Sequence, residues 1–307
     1  MGNLFEKKIK ITVLDATVLL IVTAAGVYLV YRIQAGLHYR WHWSAIPQYL
    51  FRFDTVAGSW RPNVLVLGLL TTIRLSIWAT ALATIIGTVM GLLRVSSGLF
   101  NRLIGGTYVE IVRNLPPLVL VFIFYFFIGD QILPALGAER LVSGLSGSGR
   151  SLLEVLFAPP ALLVPFLSAL LTLAVFEGAY MTEIVRSGIQ SIETGQWEAA
   201  AALGFTKSQQ MRHIILPQAV PRILPPLAGQ LISTIKDSAI VSVVSIQELT
   251  FQGMELMATT YFTFEIWITI TGLYLLLTLS CSLAVERFEI CLRKERTVGR
   301  HKGLTQK

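Results

Sequence analysis

The sequence predicts an all-α polytopic membrane protein with about six transmembrane helices. Apolar residues make up 54% of the 307 residues, charged residues make up 14%, and the mean hydropathy is +0.66. A soluble domain carries about 25% charged residues, so this composition excludes one. Several apolar runs reach the ~20 residues that a helix needs to cross a bilayer. The loops between these runs differ in their content of Lys and Arg, as expected when the basic loops stay in the cytoplasm.

Residues 1–62 are predicted to contain the first transmembrane helix and a periplasmic, aromatic-rich segment. The apolar run at residues 11–31 is longer than the ~7–15 residue apolar core of a signal peptide, so we predict a membrane-spanning helix. The aromatic residues that follow are typical of a segment at the depth of the lipid headgroups. His38 and His42 lie four residues apart in this segment. Because no third ligand accompanies them, we predict a surface helix and no metal site.

Residues 63–286 contain five further apolar runs, each predicted to span the membrane. Pro116 and Pro117 open one of them, since proline is tolerated in the first turn of a helix. Pro159 and Pro160 interrupt the next run near its start. The polar stretch after the fifth span predicts a short outer helix within residues 247–260. The six predicted spans are residues 11–31, 64–93, 115–128, 152–182, 223–244 and 264–285.

The distribution of Lys and Arg predicts that both termini and the loops at residues 94–114 and 183–222 are cytoplasmic. With this topology, 17 of the 25 basic residues lie on the inner side, including those of a basic tail at residues 287–307. Six lie on the outer side, and Arg74 and Lys236 lie within the membrane. The topology therefore obeys the positive-inside rule, with the first outer loop as its weakest point.

The loop at residues 183–222 contains a helix, a glycine and a second helical stretch. The helix-forming residues that end at Leu203 are followed by Gly204, which lacks a Cβ atom and can adopt a left-handed backbone. The second stretch is predicted to end before Pro217, because the residue before a proline avoids the α region. Neighbouring alanines would let the first helix approach a partner surface closely. The alternative is an alanine-rich helix that lies on the membrane surface without a partner.

This loop resembles the EAA loop of the permease subunits of bacterial ABC importers, at the spacing of that family. Residues before the motif, among them Ala179, Tyr180, Glu183 and Arg186, are most similar to the polar amino acid branch of the family. The similarity extends from about Asn63 to the end of the last apolar run. The positions that carry the motif, and that the resemblance implies contact an ATPase, are Glu198, Ala199, Ala200, Gly204, Phe205, Ile214, Leu216 and Pro217.

The resemblance implies a type I ABC importer permease fold in the bacterial cytoplasmic membrane. It also implies separate ABC ATPase subunits, a second permease copy or a sister permease, a periplasmic substrate-binding protein and an amino acid substrate, with no role for nucleic acid. The phosphate-binding sequence GxxxxGK[ST] is absent, so we expect ATP and Mg²⁺ on the partner ATPase and no cofactor on this chain. No catalytic constellation is visible. The alternatives are a secondary transporter driven by an ion gradient, which would show inverted repeats, and a membrane enzyme.

Polar residues within the predicted spans are candidates for the substrate pathway, because such groups persist only where they face protein or water. The pathway candidates are Glu177, Tyr180, Lys236, Asp237 and Ser238. As an alternative, Lys236 and Asp237 pair with Arg74 or Glu177 to hold the helices together. Arg74 is predicted to form a structural ion pair, with a place in the pathway as its alternative. Glu183 and Arg186 are predicted to brace the coupling loop through structural ion pairs.

Overall fold

The structure is a computed structural model, and it describes residues 13–36, 39–137 and 147–302. His38, residues 138–146 of the predicted outer loop between the third and fourth spans, and the ends of both termini lie outside the described residues. The chain divides into two units, Met1–Trp43 and Ser44–Lys307. The first unit contains one helix, α1 (Val13–Gly36). The division falls before the predicted boundary at residue 62, because residues 44–62 belong to the second unit, where Ile46 packs in a cluster with Leu65 and Leu249.

The second unit is almost entirely helical. Short 3₁₀ turns occur at residues 43–45, 160–162 and 238–244, and π-helical turns occur at residues 128–132 and 211–215. Its helices and strands in chain order are α2 (Ile46–Leu50), β1 (Phe51–Asp54), β2 (Ser59–Pro62), α3 (Val64–Val95), α4 (Leu99–Asn114), α5 (Pro117–Phe127), α6 (Leu133–Ala135), α7 (Gly147–Leu156), α8 (Leu163–Gln190), α9 (Thr194–Ala202), α10 (Lys207–Gln210), α11 (Leu216–Asp237), α12 (Leu249–Thr260) and α13 (Thr263–Lys302).

Within the described ranges, four helical segments are long and apolar enough to cross a membrane: Val64–Val95, Pro160–Gln190, Lys207–Val244 and Thr263–Arg287. Helices α4 and α5 would provide a fifth span, but they meet at 115°. This bend follows from the two prolines after Leu115, which hold that residue in an extended conformation. The apolar part of α1, Val13–Tyr28, is shorter than these spans. The predicted multi-span helical fold is confirmed, with four or five such helices against the six that we predicted.

The fourth span begins and ends later than predicted. Pro159 and Pro160 separate α7 from the span rather than interrupting it, because Pro159 is extended and α8 starts only after a 3₁₀ turn. At its other end, α8 continues to Gln190. Glu183 and Arg186 therefore lie in the helix and not in a loop.

Helices α3 and α8 form the centre of the second unit. The face of α3 that is buried against α8 consists largely of small residues at helical spacing, including Ala79, Ala83, Gly87 and Gly91. A Cβ atom added at Gly87 would lie 2.5 Å from Met181 Cβ and 2.9 Å from the Met181 carbonyl carbon. Small residues let membrane helices approach backbone to backbone, so these positions set the distance between α3 and α8.

The aromatic segment before residue 63 contains a β-hairpin that we did not predict. The predicted surface helix is not formed at His42, and His38 lies outside the described residues. Strands β1 and β2 pair antiparallel, with Arg52 opposite Arg61. Asp54 Oδ1 accepts hydrogen bonds from the backbone N–H groups of Val56 and Ala57 at 2.9 and 3.1 Å. This turn competes with helix formation, because an Asp side chain offers the backbone a local partner. Alternating aromatic and polar residues then favour strand pairing on either side of the turn.

Candidate functional site

The residues that resemble the EAA motif form a compact segment at one end of α8, here called the coupling segment (residues 191–217). Helix α9 ends in a Schellman motif. The N–H of Phe205 donates to the carbonyl oxygen of Ala200 at 3.2 Å, and the N–H of Gly204 donates to that of Ala201 at 3.0 Å. Gly204 has φ +81°, which is a left-handed conformation. The predicted glycine break is therefore a well-defined turn whose geometry requires glycine.

A second set of bonds fixes the start of α10 directly after this turn. Thr206 and Gln209 form a capping box, in which Thr206 N–H donates to Gln209 Oε1 at 2.8 Å. The buried Gln210 side chain donates to the carbonyl oxygen of Phe205 at 2.8 Å. Both bonds satisfy polar groups that the turn would otherwise leave without partners. The geometry of the turn is thus determined from both sides.

We predicted that the helix ends before Pro217, and this prediction is wrong. The helix continues through Pro217 into α11. Leu216 has φ −58° and ψ −43°, which are helical values. The preceding π turn at residues 211–215 widens the helix, and Pro217 then sits in the first turn of α11, where its missing N–H costs little. Residues 207–244 consequently form one continuous helical segment.

The side chains of α9 fall into a buried face and an exposed face. Ala200 is 1% exposed, and Trp197 packs against the apolar cluster under the segment. Glu198 and Ala199 are exposed, and Leu203 is 76% exposed. The apolar cluster beneath consists of Val185, Ile189, Ile192, Ile215, Ala219 and Ile223. The segment therefore rests on α8 and α11 and leaves an acidic and apolar face uncovered.

Polar bonds connect the coupling segment to α11. Arg222 Nη1 donates to the carbonyl oxygen of Ser191 at 2.5 Å, and Gln218 Nε2 donates to Gln196 Oε1 at 3.2 Å. These bonds join Ser191, in the loop between α8 and α9, and Gln196, in the first turn of α9, to the start of the following span. A displacement of α9 would therefore act on α11.

Glu183 and Arg186 form an ion pair within α8, at 2.7 Å between Glu183 Oε2 and Arg186 Nη2. The other carboxylate oxygen of Glu183 contacts the guanidinium group of Arg94, at the end of α3. We predicted that Glu183 and Arg186 brace the coupling loop. The bonds of Glu183 instead join α3 to α8, because α8 extends beyond residue 183 and carries this carboxylate against α3.

Within the membrane, Glu177 and Asp237 lie close together on α8 and α11. Glu177 is fully buried, and its Oε2 accepts a hydrogen bond from Gln230 Nε2 at 2.8 Å. The carboxyl group of Asp237 acts electrostatically on that of Glu177. Glu177 Oε1 is buried and has no hydrogen-bond partner in the described ranges. Two acidic groups with an unpartnered oxygen form an anionic cluster that could accept a cation.

The other pathway candidates are distributed around this cluster. The Tyr180 ring packs edge-on against Phe176 and lies 5.3 Å from the guanidinium carbon of Arg113. Ser238 is buried and donates to the carbonyl oxygen of Ile235. Lys236 is exposed. Of Lys236 and Asp237, only Asp237 is therefore brought to Glu177.

Arg74 has no ion-pair partner among the residues that the structure describes. Its predicted structural ion pair is therefore not found there, nor is the alternative pairing with Lys236 or Asp237. The side chain is half-buried and lines a cavity between α3, the start of α8 and the residues before α12.

Sequence reasoning missed several residues that complete these arrangements. Gln230 shares a helix face with Thr234 and Asp237 at steps of four and three residues, a spacing that could have indicated it. Arg94 carried no such signal, because its contact with Glu183 depends on how α3 packs against α8. Leu203 was treated only as a helix former, although an exposed leucine before a glycine turn is a recognisable candidate for a contact.

Comparison with known proteins identifies the family. Residues 83–293 match the family described as "Binding-protein-dependent transport system inner membrane component". The chain belongs to this family. It is therefore a multi-pass permease subunit of an ATP-driven ABC importer in the cytoplasmic membrane, which confirms the predicted class. Membership also implies an ATPase and a substrate-binding protein as partners in general terms. Nothing in the comparisons supports the ion-gradient alternative.

The curated relatives extend over most of the chain. It is 32% identical to the probable glutamine ABC transporter permease protein GlnM of Bacillus subtilis, over 74% of this chain and 92% of the relative. It is 30% identical to the glutamate/aspartate import permease protein GltJ of Escherichia coli, over 86% of this chain and 98% of the relative. The chain thus matches nearly the full length of both.

Solved structures agree with the fold. The crystal structure of an amino acid ABC transporter with histidines has a TM-score of 0.61 and 29% identity, over 82% of this chain and 99% of that chain. The inward-facing methionine ABC transporter MetNI, at 20% identity and a TM-score of 0.55, supports the fold alone. The type I permease fold is therefore confirmed, whereas the cytoplasmic location of both termini stays a prediction.

Proposed function

We propose that this chain moves a polar amino acid across the cytoplasmic membrane and that a separate ATPase drives it through the coupling segment. Relatives named for the import of glutamine and of glutamate and aspartate support a polar amino acid as substrate. The matched family region, residues 83–293, includes both the anionic cluster and the coupling segment. The role of the coupling segment and the role of the cluster are separate parts of the proposal.

The exposed face of α9 is the observation that carries the coupling role. Exposed small side chains at Ala199, Ala201 and Ala202 would let an ATPase approach the helix backbone. Leu203 offers an apolar anchor, and Glu198 can accept a charge-assisted hydrogen bond from an Arg of the partner. Because one set of backbone bonds and one set of side-chain bonds fix the turn at Gly204, a push on α9 would displace the following helix rather than deform the turn. Phe205, Ile214, Leu216 and Pro217 belong to this proposal as supports of the segment.

Nucleotide chemistry belongs to the partner in this proposal. The chain lacks the loop with which P-loop ATPases cradle phosphate groups, so ATP and Mg²⁺ would be held entirely by the ATPase. A second permease, either another copy of this chain or a sister subunit, would complete the pathway. A periplasmic binding protein would deliver the amino acid to the pair.

The anionic cluster is proposed to bind the ammonium group of the amino acid during passage. Glu177 Oε1 lacks a donor among the described residues, and an ammonium group supplies three. Gln230 holds the other oxygen and thereby orients the carboxylate. Tyr180 and Ser238, on the same two helical segments, would line the pathway beside it. Lys236 is not assigned to the cluster, because its side chain is exposed.

The coupling role is tested by reversing the charge of Glu198. The permease would be reconstituted in lipid nanodiscs with its ATPase, and substrate-stimulated ATP hydrolysis would be measured for Glu198→Lys. The matched control is Glu255→Lys, at another exposed glutamate, on α12. We expect Glu198→Lys to lower the affinity for the ATPase, since a lost charge-assisted hydrogen bond at an interface costs about 1.5–3 kcal/mol. Equal ATPase affinity in the two variants would contradict the coupling role.

The pathway role is tested separately by Glu177→Gln, which keeps the shape of the side chain and removes its charge. Uptake of labelled glutamine into proteoliposomes should fall, while substrate-independent ATPase association should remain unchanged. Glu154→Gln, at an exposed position on α7, controls for the loss of one carboxylate. Unaltered uptake by Glu177→Gln would remove the cluster from the pathway without affecting the coupling role.

A further inference from the structure

A cavity of about 240 Å³ lies at the end of the α3–α8 pair that is opposite the coupling segment. Its walls come from the first turns of α3, from Pro159 to Phe166 at the start of α8, and from Ser245 to Gln252. Most of the lining is apolar, with Leu67, Leu70 and Leu162 among the side chains. The polar groups that line it are those of Thr71, Arg74, Ser245, Gln247 and Gln252.

Arg74 is the charged residue of this lining. It lies ten residues after the start of α3, which is about 15 Å along a helix axis. In the described part of the chain it makes neither an ion pair nor a hydrogen bond that would neutralise or orient the guanidinium group. A charge at this depth persists only where it faces protein partners or a polar space. The cavity therefore contains a cation that lacks its counter-ion.

Guanidinium chemistry determines what that counter-ion can be. The planar group offers a fork of N–H donors that fits two oxygens of a carboxylate or phosphate. The side-chain amides of Gln247 and Gln252 and the hydroxyl of Ser245 line the same space, and they can bond to further polar groups of a small ligand. Apolar walls lower the local dielectric constant, which strengthens such bonds.

Backbone strain at the cavity is an independent observation. Ser245 has φ +62° and ψ +27°, a left-handed conformation that a residue with a Cβ atom rarely adopts. Such strained residues cluster at binding sites, where the surrounding structure holds them in place. Here the conformation ends the 3₁₀ turn at residues 238–244 and places Ser245 in the cavity wall.

We propose that the Arg74 cavity is an entry site that binds the α-carboxylate of the transported amino acid before it reaches the anionic cluster. The proposal rests on the proposed function, from which it takes the substrate class. It goes further by assigning the carboxylate and the ammonium group of the substrate to two separate sites. Arg74 recognises the carboxylate, and the apolar wall receives the aliphatic part of the side chain.

The experiment measures the electrostatic preference of the cavity with a cysteine probe. Thr71 lines the cavity and is half-buried, so Thr71→Cys is made in a background with Cys281→Ser and Cys291→Ser. The rate of modification is compared for a negatively charged and a neutral methanethiosulfonate reagent. The thiolate attacks the reagent sulfur, a disulfide forms and methanesulfinate leaves. Because positively charged clefts raise the local concentration of anions about tenfold or more, we expect the anionic reagent to be favoured to that extent.

Adding Arg74→Gln should abolish the preference for the anionic reagent, whereas Arg102→Gln, an exposed arginine on α4, should leave it intact. L-glutamine should slow the anionic reagent severalfold, and L-glutamine with its α-carboxylate converted to an amide should not. Equal rates for the two reagents, or equal protection by the two forms of glutamine, would overturn the proposal.

A phospholipid phosphate could also bind the guanidinium group of Arg74. Measurements with and without phospholipid distinguish this phosphate from the carboxylate of an amino acid. The rates are measured in maltoside detergent without phospholipid and in phospholipid nanodiscs. The anionic reagent could react slowly in nanodiscs and rapidly in detergent, with no protection by glutamine in either medium. The cavity then binds lipid, and the proposal of an entry site is wrong. The readout needs neither ATPase nor binding protein, so a complex that fails to transport glutamine in proteoliposomes would contradict the proposed function separately.

Discussion

Replacing Gly204 by Ala isolates the role of the turn in the coupling segment. An added Cβ atom at Gly204 would meet nothing within 4 Å, so the substitution causes no steric clash. Its whole cost comes from holding alanine at φ +81°, which is about 1–2 kcal/mol for a non-glycine residue. A difference of this size changes an equilibrium by about 5- to 30-fold. We therefore expect the turn, and with it the binding of the ATPase, to be weakened by about that factor.

Gly195→Ala is the matched control, because it makes the same change within the same coupling segment. A Cβ atom there also meets nothing within 4 Å, and Gly195 has an ordinary backbone conformation within α9. Alanine in a helix is favoured over glycine by about 0.5–1 kcal/mol, so this variant should bind the ATPase at least as well as the wild type. Asn at Gly204 should restore much of the loss, since asparagine tolerates the left-handed region. The affinity for the ATPase is measured in nanodiscs for all three variants. Equal affinities for the two alanine variants would refute the requirement for a left-handed residue at position 204.

Three further predictions concern the framework around the site. Glu183→Gln should destabilise the α3–α8 pair by about 1–3 kcal/mol, seen as a lower thermal midpoint in detergent, because two partly buried guanidinium groups lose their shared carboxylate. Gly87→Ala should cost about 1–3 kcal/mol through overpacking against Met181, while Gly106→Ala, in a helix and with open space around it, should not lower the thermal midpoint in the same assay. Bonds from the N–H groups of Ala57 and Val56 lower the pKa of Asp54 below its ordinary value of 3.8. The ionised Asp54 should therefore contribute fully to the stability of the hairpin above pH 3.8, and this contribution should be lost as the pH falls through the lower pKa of the folded state. Hydrogen exchange of the Val56 amide measures the change, and Asp54→Asn should not show this pH dependence.

The spans that were predicted closely are those bounded by a sharp change in polarity. The predicted span at residues 64–93 corresponds to α3 (Val64–Val95), and the predicted span at residues 264–285 corresponds to the apolar part of α13. Each is a single apolar run, so hydropathy alone sets its limits. The fourth span was misplaced because α7 is also apolar in places, and hydropathy does not detect that two prolines separate it from α8.

Local rules also failed where the backbone could adjust. The rule that a proline ends a helix failed at Pro217. A π turn directly before it lets Leu216 keep a helical conformation next to the proline. The break at Gly204 was predicted correctly because it depends on a positive φ. Glycine adopts this conformation without steric cost, whereas a Cβ atom makes it unfavourable whatever the tertiary packing. Contacts such as that of Arg94 with Glu183 could not be predicted, since no sequence spacing encodes the rotation of α3 against α8.

The two intramembrane charges of opposite sign give the sharpest contrast between pattern and structure. Lys236 and Asp237 are neighbours in sequence, and both were predicted to belong to the substrate pathway. Adjacent residues on a helix point about 100° apart, and the structure shows the consequence, since Asp237 acts on Glu177 while Lys236 is exposed. The cation that lines a cavity is instead Arg74, on a different helix. A zwitterionic substrate would then meet its carboxylate partner first and its ammonium partner later, so Arg74→Gln should impair entry at low substrate concentration and Glu177→Gln should impair passage even at saturation.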